Sequence, residues 1–412
     1  MTATTKSDPA QSLEVIVVGA GPVGLTAALA LRSLGREVTL LEAGPERRQR
    51  PGSRAIFTHS QTLEILDRLS PGLADELSTE GYYWNTQRTF YEGKEVYAQT
   101  YPPPASGVRP HFTSLPQVDI ERHLIQRAHD AGVRFCWEQE VVAVDSGADG
   151  VQLQTAGGQT WRAAYVIGAD GARSAVRKQI GTRMEGDRDD GWFVIVDVAE
   201  IDSKPLPIER SFHYRHPAVD GRHILLVPFA GGWRVDLQCR ADDDPEELGS
   251  LDGARRWVGK VIPAEYADHI TWVSTYQFMQ VVAHDFADPA RRVLLVGEAA
   301  HLFAPFGARG LNSGVPDAES AAIAVNTALC ATNPAAARAA VTTFSLARRS
   351  AALFNRDAAG EALAHLKPDA ETAARIHAAA QRAPEDREAS VWLEKAPYGP
   401  RGVAKADTIY RY

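Results

Sequence analysis

Val15-Ile16-Val17-Val18-Gly19-Ala20-Gly21-Pro22-Val23-Gly24 is the stretch whose reading decides the fold. Four consecutive β-branched residues read as a strand buried on both faces. They run directly into a glycine turn, and the small apolar stretch Leu25-Thr26-Ala27-Ala28-Leu29-Ala30-Leu31 after it has a helical pattern. A turn at Gly35 leads to a second strand, Val38-Thr39-Leu40-Leu41, ending at Glu42. This is a βαβ unit. Gly19 permits the tight turn, Gly21 lets the backbone approach a pyrophosphate, Pro22 opens the helix, and Gly24 lets that helix pack closely on the sheet. The pyrophosphate then lies at the positive end of the helix dipole. Glu42 stands where an acidic residue accepts hydrogen bonds from an adenosine ribose. The turn specifies a dinucleotide and does not by itself choose which one.

Outward from this unit, residues 54–69 read as a helix with Leu63, Ile65, Leu66 and Leu69 as its apolar positions. Residues 80–116 are rich in aromatics, Gly and Pro, and read as strands and loops. A helix resumes over 119–131. Residues 134–167 alternate apolar and polar as a β-meander does, ending in the buried run Tyr165-Val166-Ile167. Residues 192–280 are strand-rich, and Val293-Leu294-Leu295-Val296-Gly297 returns to a buried parallel strand. The first domain is therefore expected to be discontinuous: 13–80, 107–180 and 284–330 bind the dinucleotide. Residues 81–106 and 181–283 form an inserted, β-rich substrate domain. Residues 331–412 are a C-terminal helical segment, helical to about Leu366, and a polar tail expected to wrap the surface. The fold class is α/β: a doubly wound, Rossmann-like domain with an inserted β-sheet domain and C-terminal helices.

Two later segments narrow the choice of dinucleotide. Asp170-Gly171-Ala172-Arg173-Ser174 follows a buried strand. Val293-Leu294-Leu295-Val296-Gly297-Glu298-Ala299-Ala300-His301 leads into Pro305-Phe306-Gly307-Ala308-Arg309-Gly310-Leu311-Asn312. A simple dehydrogenase has no reason to carry both. With these segments the sequence, over roughly residues 13 to 350, resembles the flavoprotein aromatic hydroxylases of the p-hydroxybenzoate hydroxylase type. It looks most like their phenol and 3-(3-hydroxyphenyl)propionate hydroxylase branch. Ser53-Arg54-Ala55 with Thr62-Leu63-Glu64, Leu115-Pro116-Gln117 and Trp233-Arg234-Val235-Asp236 add to the likeness.

The resemblance implies FAD as cofactor and NADH or NADPH as transient reductant. It implies oxygen transfer from a flavin C4a-hydroperoxide, formed with O2, to an activated aromatic ring. Arg54 and Gln117 are expected on the pyrophosphate and ribityl chain, and Asp170 belongs to a motif tied to both FAD and NAD(P)H. Glu298 stands where the family has Asp, a departure that adds one methylene to a ribityl contact. Gly297, Gly307, Arg309, Gly310, Leu311 and Asn312 complete the expected cofactor set, with Arg309 a candidate to guide the nicotinamide or tune the flavin. Pro305 is expected beside the reactive edge of the flavin. Gly310-Leu311-Asn312 reads as a loop before a helix that starts near Pro316, with Asp317 and Glu319 in its first turn. Its N–H groups suit negative charge on the flavin N1–C2 edge.

The substrate half is less specified. A phenol reacts better as phenolate, so a base or hydrogen-bond relay is expected near its hydroxyl. His59, His213, Tyr214, Arg215, Gln238 and Tyr276 are the candidates. Strand alternation puts His213 and Arg215 on one face and Tyr214 on the other, so they cannot all line one pocket. A reductase or oxidase of the same fold and a catalytically silent FAD-binding protein stay open as alternatives. A halogenase lacks its Trp-x-Trp-x-Ile-Pro segment here.

The chain has 412 residues, and its formal net charge of −8 disfavours a nucleic-acid or anionic-membrane surface. Cys136, Cys239 and Cys330 are far apart and odd in number, which points to neither a disulfide framework nor a structural zinc site. No metal cluster is expected. The polar start Met1–Ser12 and the lack of any apolar run of ~18 to 20 residues fit a cytoplasmic protein. Partners are expected to be a small aromatic substrate and O2. Relatives of the phenol branch often carry a thioredoxin-like domain after this region. None is expected before Tyr412, and a homodimer is compatible with the sequence.

Overall fold

Strand Leu13–Val18 lies at the centre of a seven-stranded sheet because Val15 to Val18 are buried on both sides. The computed structural model describes residues 13–47 and 55–399. Val38–Leu41 pairs parallel with one edge of the first strand, in register Val15 to Val38, and Arg134–Cys136 extends that side. Thr160–Gly168 pairs parallel on the other edge, Val15 opposite Tyr165. This strand divides its outer edge in two. Its first half pairs antiparallel with Gly150–Thr155, the inner strand of the meander, and its second half pairs parallel with Val293–Leu295. The chain thus returns to this sheet after a long excursion.

Helix Pro22–Ser33 has Pro at its first position and nine buried residues, from Pro22 to Leu31. Its burial is nearly all-round because helix Arg309–Leu329 packs on it from outside the sheet. The excursion builds an antiparallel-rich, eight-stranded sheet that includes 86–91, 94–100, 209–216, 222–229, 232–238, 184–199 and 270–283. One of its faces carries Val194, Val196, Trp233, Val235 and Leu237, packed on Trp257 and Val258 of helix Leu251–Val261. The opposite face looks toward the C-terminal helices.

Three expectations need correction. Residues 57–69 are not one helix: Phe57–His59 is a strand paired with Phe112–Ser114, and the helix is Ser60–Leu69. The periodic leucines give no sign of where the helix starts. The helix expected to begin near Pro316 begins at Arg309, so Pro316 lies inside it and no acidic residue is in its first turn. The residues after Lys367 form helices Ala370–Arg382 and Arg387–Lys395, capped by the Asp369 and Asp386 side chains. Rather than wrapping the surface, they bury Ile376 and Leu393 against Tyr91, Phe212 and Tyr214 of the large sheet.

Among the described residues no helix is long and apolar enough to cross a membrane, and no group of three or more His, Cys, Asp or Glu is placed to hold a metal ion. The three cysteines are free, Cys239 buried and Cys330 exposed.

Candidate active site

The expected cofactor residues converge because several of them end parallel strands. Gly19 follows Leu13–Val18, Glu42 follows Val38–Leu41, Asp170 follows Thr160–Gly168, and Gly297-Glu298 follow Val293–Leu295. Crevices at carboxyl ends of such strands are where open α/β sheets hold ligands. The glycine turn is too tight for side chains. Gly19 has φ +106°, and a Cβ at Gly24 would stand 1.9 Å from the carbonyl oxygen of Gly19. Helix Pro22–Ser33 starts at Gly21 with no side chain capping its first N–H groups, which leaves a positive helix end available to an anion. Glu42 closes the turn from the next strand: its Oε2 accepts from the Ala20 N–H at 2.7 Å and its Oε1 from Gly44 at 3.0 Å.

Asp170 is engaged locally. Its Oδ1 accepts from the Ser174 hydroxyl at 2.5 Å and its Oδ2 from the Val176 N–H at 3.0 Å, holding the start of helix Ala175–Gln179. Arg177 on that helix donates to the Ala299 carbonyl at 2.9 Å and so ties this loop to the Gly297–Ala299 turn. Glu298 is exposed on that turn. Gln117 is the first residue of helix Gln117–Asp130 and donates to Glu121 at 2.8 Å. Arg54 lies outside the described residues.

The 305–312 segment is a turn closing into a helix. The Ala308 N–H donates to the Pro305 carbonyl at 2.8 Å, and Gly307 and Ala308 both have left-handed backbone, φ +76° and +54°. Helix Arg309–Leu329 follows, so Gly310, Leu311 and Asn312 are its first turn. Pro305 and Gly310 are exposed, and a Cβ at Gly310 would meet nothing within 4 Å. The backbone N–H groups of that turn have no side-chain cap. This end fits an anionic edge as the glycine turn fits a phosphate.

Two of the expected cofactor residues turn their side chains into the protein. The Asn312 side chain is spent on the protein: Oδ1 accepts from the His59 N–H at 2.9 Å and the Thr62 hydroxyl at 2.7 Å, while Nδ2 donates to the Phe57 and Ala308 carbonyls. It fastens strand Phe57–His59 to the long helix. Arg309 is 1% exposed, and its Nη1 donates to Asn355 Oδ1 at 3.1 Å. His59 Nε2 donates to the Gly307 carbonyl at 3.2 Å, and burial holds its pKa below the usual imidazole range. It supports the turn and is not on the cavity described next.

Between the large sheet and this turn is a cavity of about 30 Å³, room for one or two waters in this conformation. Pro305 and Phe306 form one wall, Leu366, Pro397 and Tyr398 another. The sheet supplies Phe193, Ile195, Phe212 and Leu225, with Phe278 beside them. Cross-strand register explains the grouping, because Phe193 faces Gln238, Ile195 faces Asp236, and Asp236 faces Leu225. His223, Asp236 and Gln238 add polar groups to an otherwise apolar lining.

The strand candidates divide as alternation requires. Gln238 lines the cavity, as does Pro305. His213 and Arg215 lie on the other face: His213 stacks on Phe90 with ring centroids 4.5 Å apart, and Arg215 pairs with Glu92 at 2.9 Å. Tyr214 is on the near side but buried beneath the C-terminal helices, its hydroxyl 2.8 Å from His365 and donating to the Leu393 carbonyl at 2.7 Å. Tyr276 is half-buried against the Phe193–Phe278 cluster. The sequence reading missed Asp236, His223 and Tyr398 as lining residues. Alternation along Gly232–Gln238 puts Asp236 on the face of Gln238 and was the available signal. Nothing local marks Tyr398, which reaches the cavity only because two helices carry it there.

A family model described as "FAD binding domain" matches residues 12–352 of this chain. Among curated relatives, a rifampicin monooxygenase of Rhodococcus hoagii is 29% identical over 315 residues, which is 74% of this chain and 62% of that protein. A 3-(3-hydroxy-phenyl)propionate/3-hydroxycinnamic acid hydroxylase of Mycobacterium sp. (strain JLS) is 28% identical over 323 residues, 77% of this chain and 54% of that protein. The chain thus spans less than two thirds of the length of these relatives. Among solved structures, p-nitrophenol 4-monooxygenase PnpA of Pseudomonas putida DLL-E4 superposes with a TM-score of 0.75 at 26% identity, covering 95% of this chain and 100% of that one. With a glycine turn only glycine can make, and an uncapped helix end facing the same crevice, the match has its physical counterpart. The chain belongs to the FAD binding domain family.

Proposed function

We propose that this protein is an FAD-dependent monooxygenase that hydroxylates an aromatic, phenol-like substrate, with NADH or NADPH as reductant. The observation that carries this reading is the position of one turn. Pro305 is exposed in the turn that opens helix Arg309–Leu329, whose uncapped N–H groups suit a flavin, and it also lines the aromatic cavity. In this reading residues 13–80, 107–180 and 284–330 hold the cofactor, while 81–106 and 181–283 supply the sheet over the substrate. The C-terminal helices close the far side.

Gly19, Gly21, Pro22 and Gly24 hold the pyrophosphate, and Glu42 reaches the adenosine ribose. The Gly297-Glu298 turn and Gln117 serve the ribityl region. FAD bound there supplies acceptance of a hydride from the nicotinamide and activation of O2 for transfer of one oxygen atom to the ring. The chain's own part is to orient and to exclude water. The first turn of helix Arg309–Leu329 presents N–H groups to the anionic edge of the reduced cofactor. Phe193, Phe278 and Phe306 keep the reacting ring in an apolar enclosure. Admission of a ring requires these side chains to move, since the cavity holds only one or two waters as it stands.

The test is to load the purified protein with FAD and measure NADH and NADPH oxidation with a panel of phenols, analysing products. Substrate-stimulated oxidation with a hydroxylated product is expected. Stimulated oxidation that yields only hydrogen peroxide with every phenol would remove the hydroxylase assignment and favour an oxidase of the same fold.

A further inference from the structure

Among the described residues, Asp236 Oδ1 and Gln238 Oε1 on the cavity wall are buried without a hydrogen-bond partner, and the Tyr398 hydroxyl beside them is met only by the Arg210 guanidinium. A buried acceptor left unpaired is costly, and two of them face one small cavity. The Gln238 amide is oriented by its other end, because Nε2 donates to the Leu366 carbonyl at 2.9 Å. That leaves Oε1 as a lone acceptor. Asp236 sits opposite Ile195 and Leu225 in the middle of the sheet. Its carboxyl is pushed up to about 7 by burial, with Arg234 opposing and Asp197 adding to the rise.

The nearby cations are committed elsewhere. Arg234 makes a two-pronged ion pair with Asp197, Nε to Oδ1 at 2.8 Å and Nη2 to Oδ2 at 2.9 Å. Arg210 pairs with Glu394, and its guanidinium lies 4.2 Å over the Tyr398 ring. His223 on the same wall accepts the Arg215 N–H through Nδ1 at 3.1 Å, and burial lowers its pKa to about 4, so it is uncharged near neutrality. The wall therefore offers the Gln238 and Asp236 oxygens as acceptors beside the neutral Tyr398 hydroxyl and His223 ring, with the guanidinium groups next to it engaged by carboxylates. A ligand carboxylate placed here would face Asp236 without a cation of its own.

We propose that Asp236, Gln238 and Tyr398 form the recognition site for the substrate's hydrogen-bond donors, and that it selects uncharged hydroxyarenes over arene carboxylates. Asp236 Oδ1 and Gln238 Oε1 accept from ring or side-chain hydroxyls, and the Tyr398 hydroxyl completes the set. This rests on the cavity being the substrate site, as in the function proposed above. It separates the chain from enzymes that anchor a phenolic acid by its carboxylate.

The experiment compares 3-hydroxybenzyl alcohol with 3-hydroxybenzoate, which share ring and phenol and differ in the charged group. Binding to the FAD-loaded protein is read without turnover, from the change each causes in the flavin absorption spectrum. The alcohol is expected to bind at least about tenfold more tightly than the acid. Asp236→Asn, nearly the same shape, should weaken the alcohol roughly ten- to hundredfold and shrink its preference over the acid. Gln238→Met, which removes the second acceptor, reads the same quantity if Asp236→Asn does not retain FAD. Equal or tighter binding of the acid by the unaltered protein, or unchanged binding of the alcohol in both variants, overturns the proposal. If binding depends on Asp236 yet no phenol is ever hydroxylated, the recognition site stands and the monooxygenase reading falls. If hydroxylation proceeds and neither variant alters binding, the reverse holds.

Discussion

His301 Nε2 lies 2.6 Å from Asp317 Oδ2, both side chains buried behind the turns expected to hold the flavin. The second oxygen of the same carboxylate takes the Arg348 guanidinium, and Oδ2 also accepts the Gly297 N–H at 3.1 Å. One carboxylate thus joins the Gly297–Ala299 turn, the helix Arg309–Leu329 and the helix Pro334–Leu366. Its pKa is kept below the usual carboxylate range: burial opposes ionisation, and the Arg348 and His301 charges and hydrogen bonds more than offset it. Asp317→Ala leaves Arg348 buried and unpaired, a loss expected to cost about 3–5 kcal/mol. Urea unfolding of the variant should show it as a lower midpoint with an unchanged slope, and FAD retention should fall with it. An unchanged midpoint would mean that the cluster is not coupled to folding.

Gly24→Ala tests the glycine turn. The added methyl would meet the Gly19 carbonyl oxygen at 1.9 Å, and backbone cannot give way as a side-chain tip can. FAD affinity is expected to drop by more than about tenfold, equivalent to ~1.4 kcal/mol. Gly147→Ala, where a Cβ would meet nothing within 4 Å, is the control expected to retain wild-type affinity. Isothermal titration of the apoproteins with FAD reads both. Equal affinities in the two variants would rule out the close approach.

Asn312→Ala removes three hydrogen bonds between the Phe57–Thr62 segment and the long helix, and a fourth to the Ala308 carbonyl at that helix's own N-terminus. Backbone and hydroxyl groups of Phe57, His59, Thr62 and Ala308 lose buried partners together, for an expected loss of about 2–4 kcal/mol. Thermal unfolding at fixed pH measures it. A shift no larger than that of an exposed substitution would show that water replaces those bonds.

Stability should decline in mild acid. His213, His223 and His365 have folded-state pKa values lowered to about 3, about 4 and about 4, in each case chiefly by burial. The unfolded chain, with imidazoles near 6.5, therefore takes up protons first as pH falls. Their contribution is full above about pH 6.5 and drains as pH drops toward 4. Asp236 acts in the opposite sense, because its raised value relieves a folding penalty on going from pH 7 toward 4. Three imidazoles outweigh one carboxyl. The melting temperature followed from pH 7.5 to 4.5 should fall steadily below 6.5, and a flat or rising profile would show that these histidines are solvated.

The first βαβ unit was legible from Val15 to Glu42 because its signals are local. A β-branched run, a glycine turn and a helical run of small residues each dictate backbone geometry without help from the rest of the chain. The Val293–Leu295 strand was visible for the same reason, and with it the chain's late return to the parallel sheet. What the sequence left open depends on which surfaces meet. Asn312 and Arg309 belong to the linear motif expected to contact the cofactor, and only the packing of strand Phe57–His59 and helix Pro334–Leu366 around them turns their side chains into the protein. His213 and Gln238 were equal candidates until the sheet's register put only Gln238 on the cavity. Tyr398 reaches the same wall from about 160 residues further on, carried by helices whose composition says nothing of their destination. Short-range sterics and periodicity settle elements and the nucleotide turn. The substrate wall is assembled by long-range pairing and burial, so only the tertiary structure decides it.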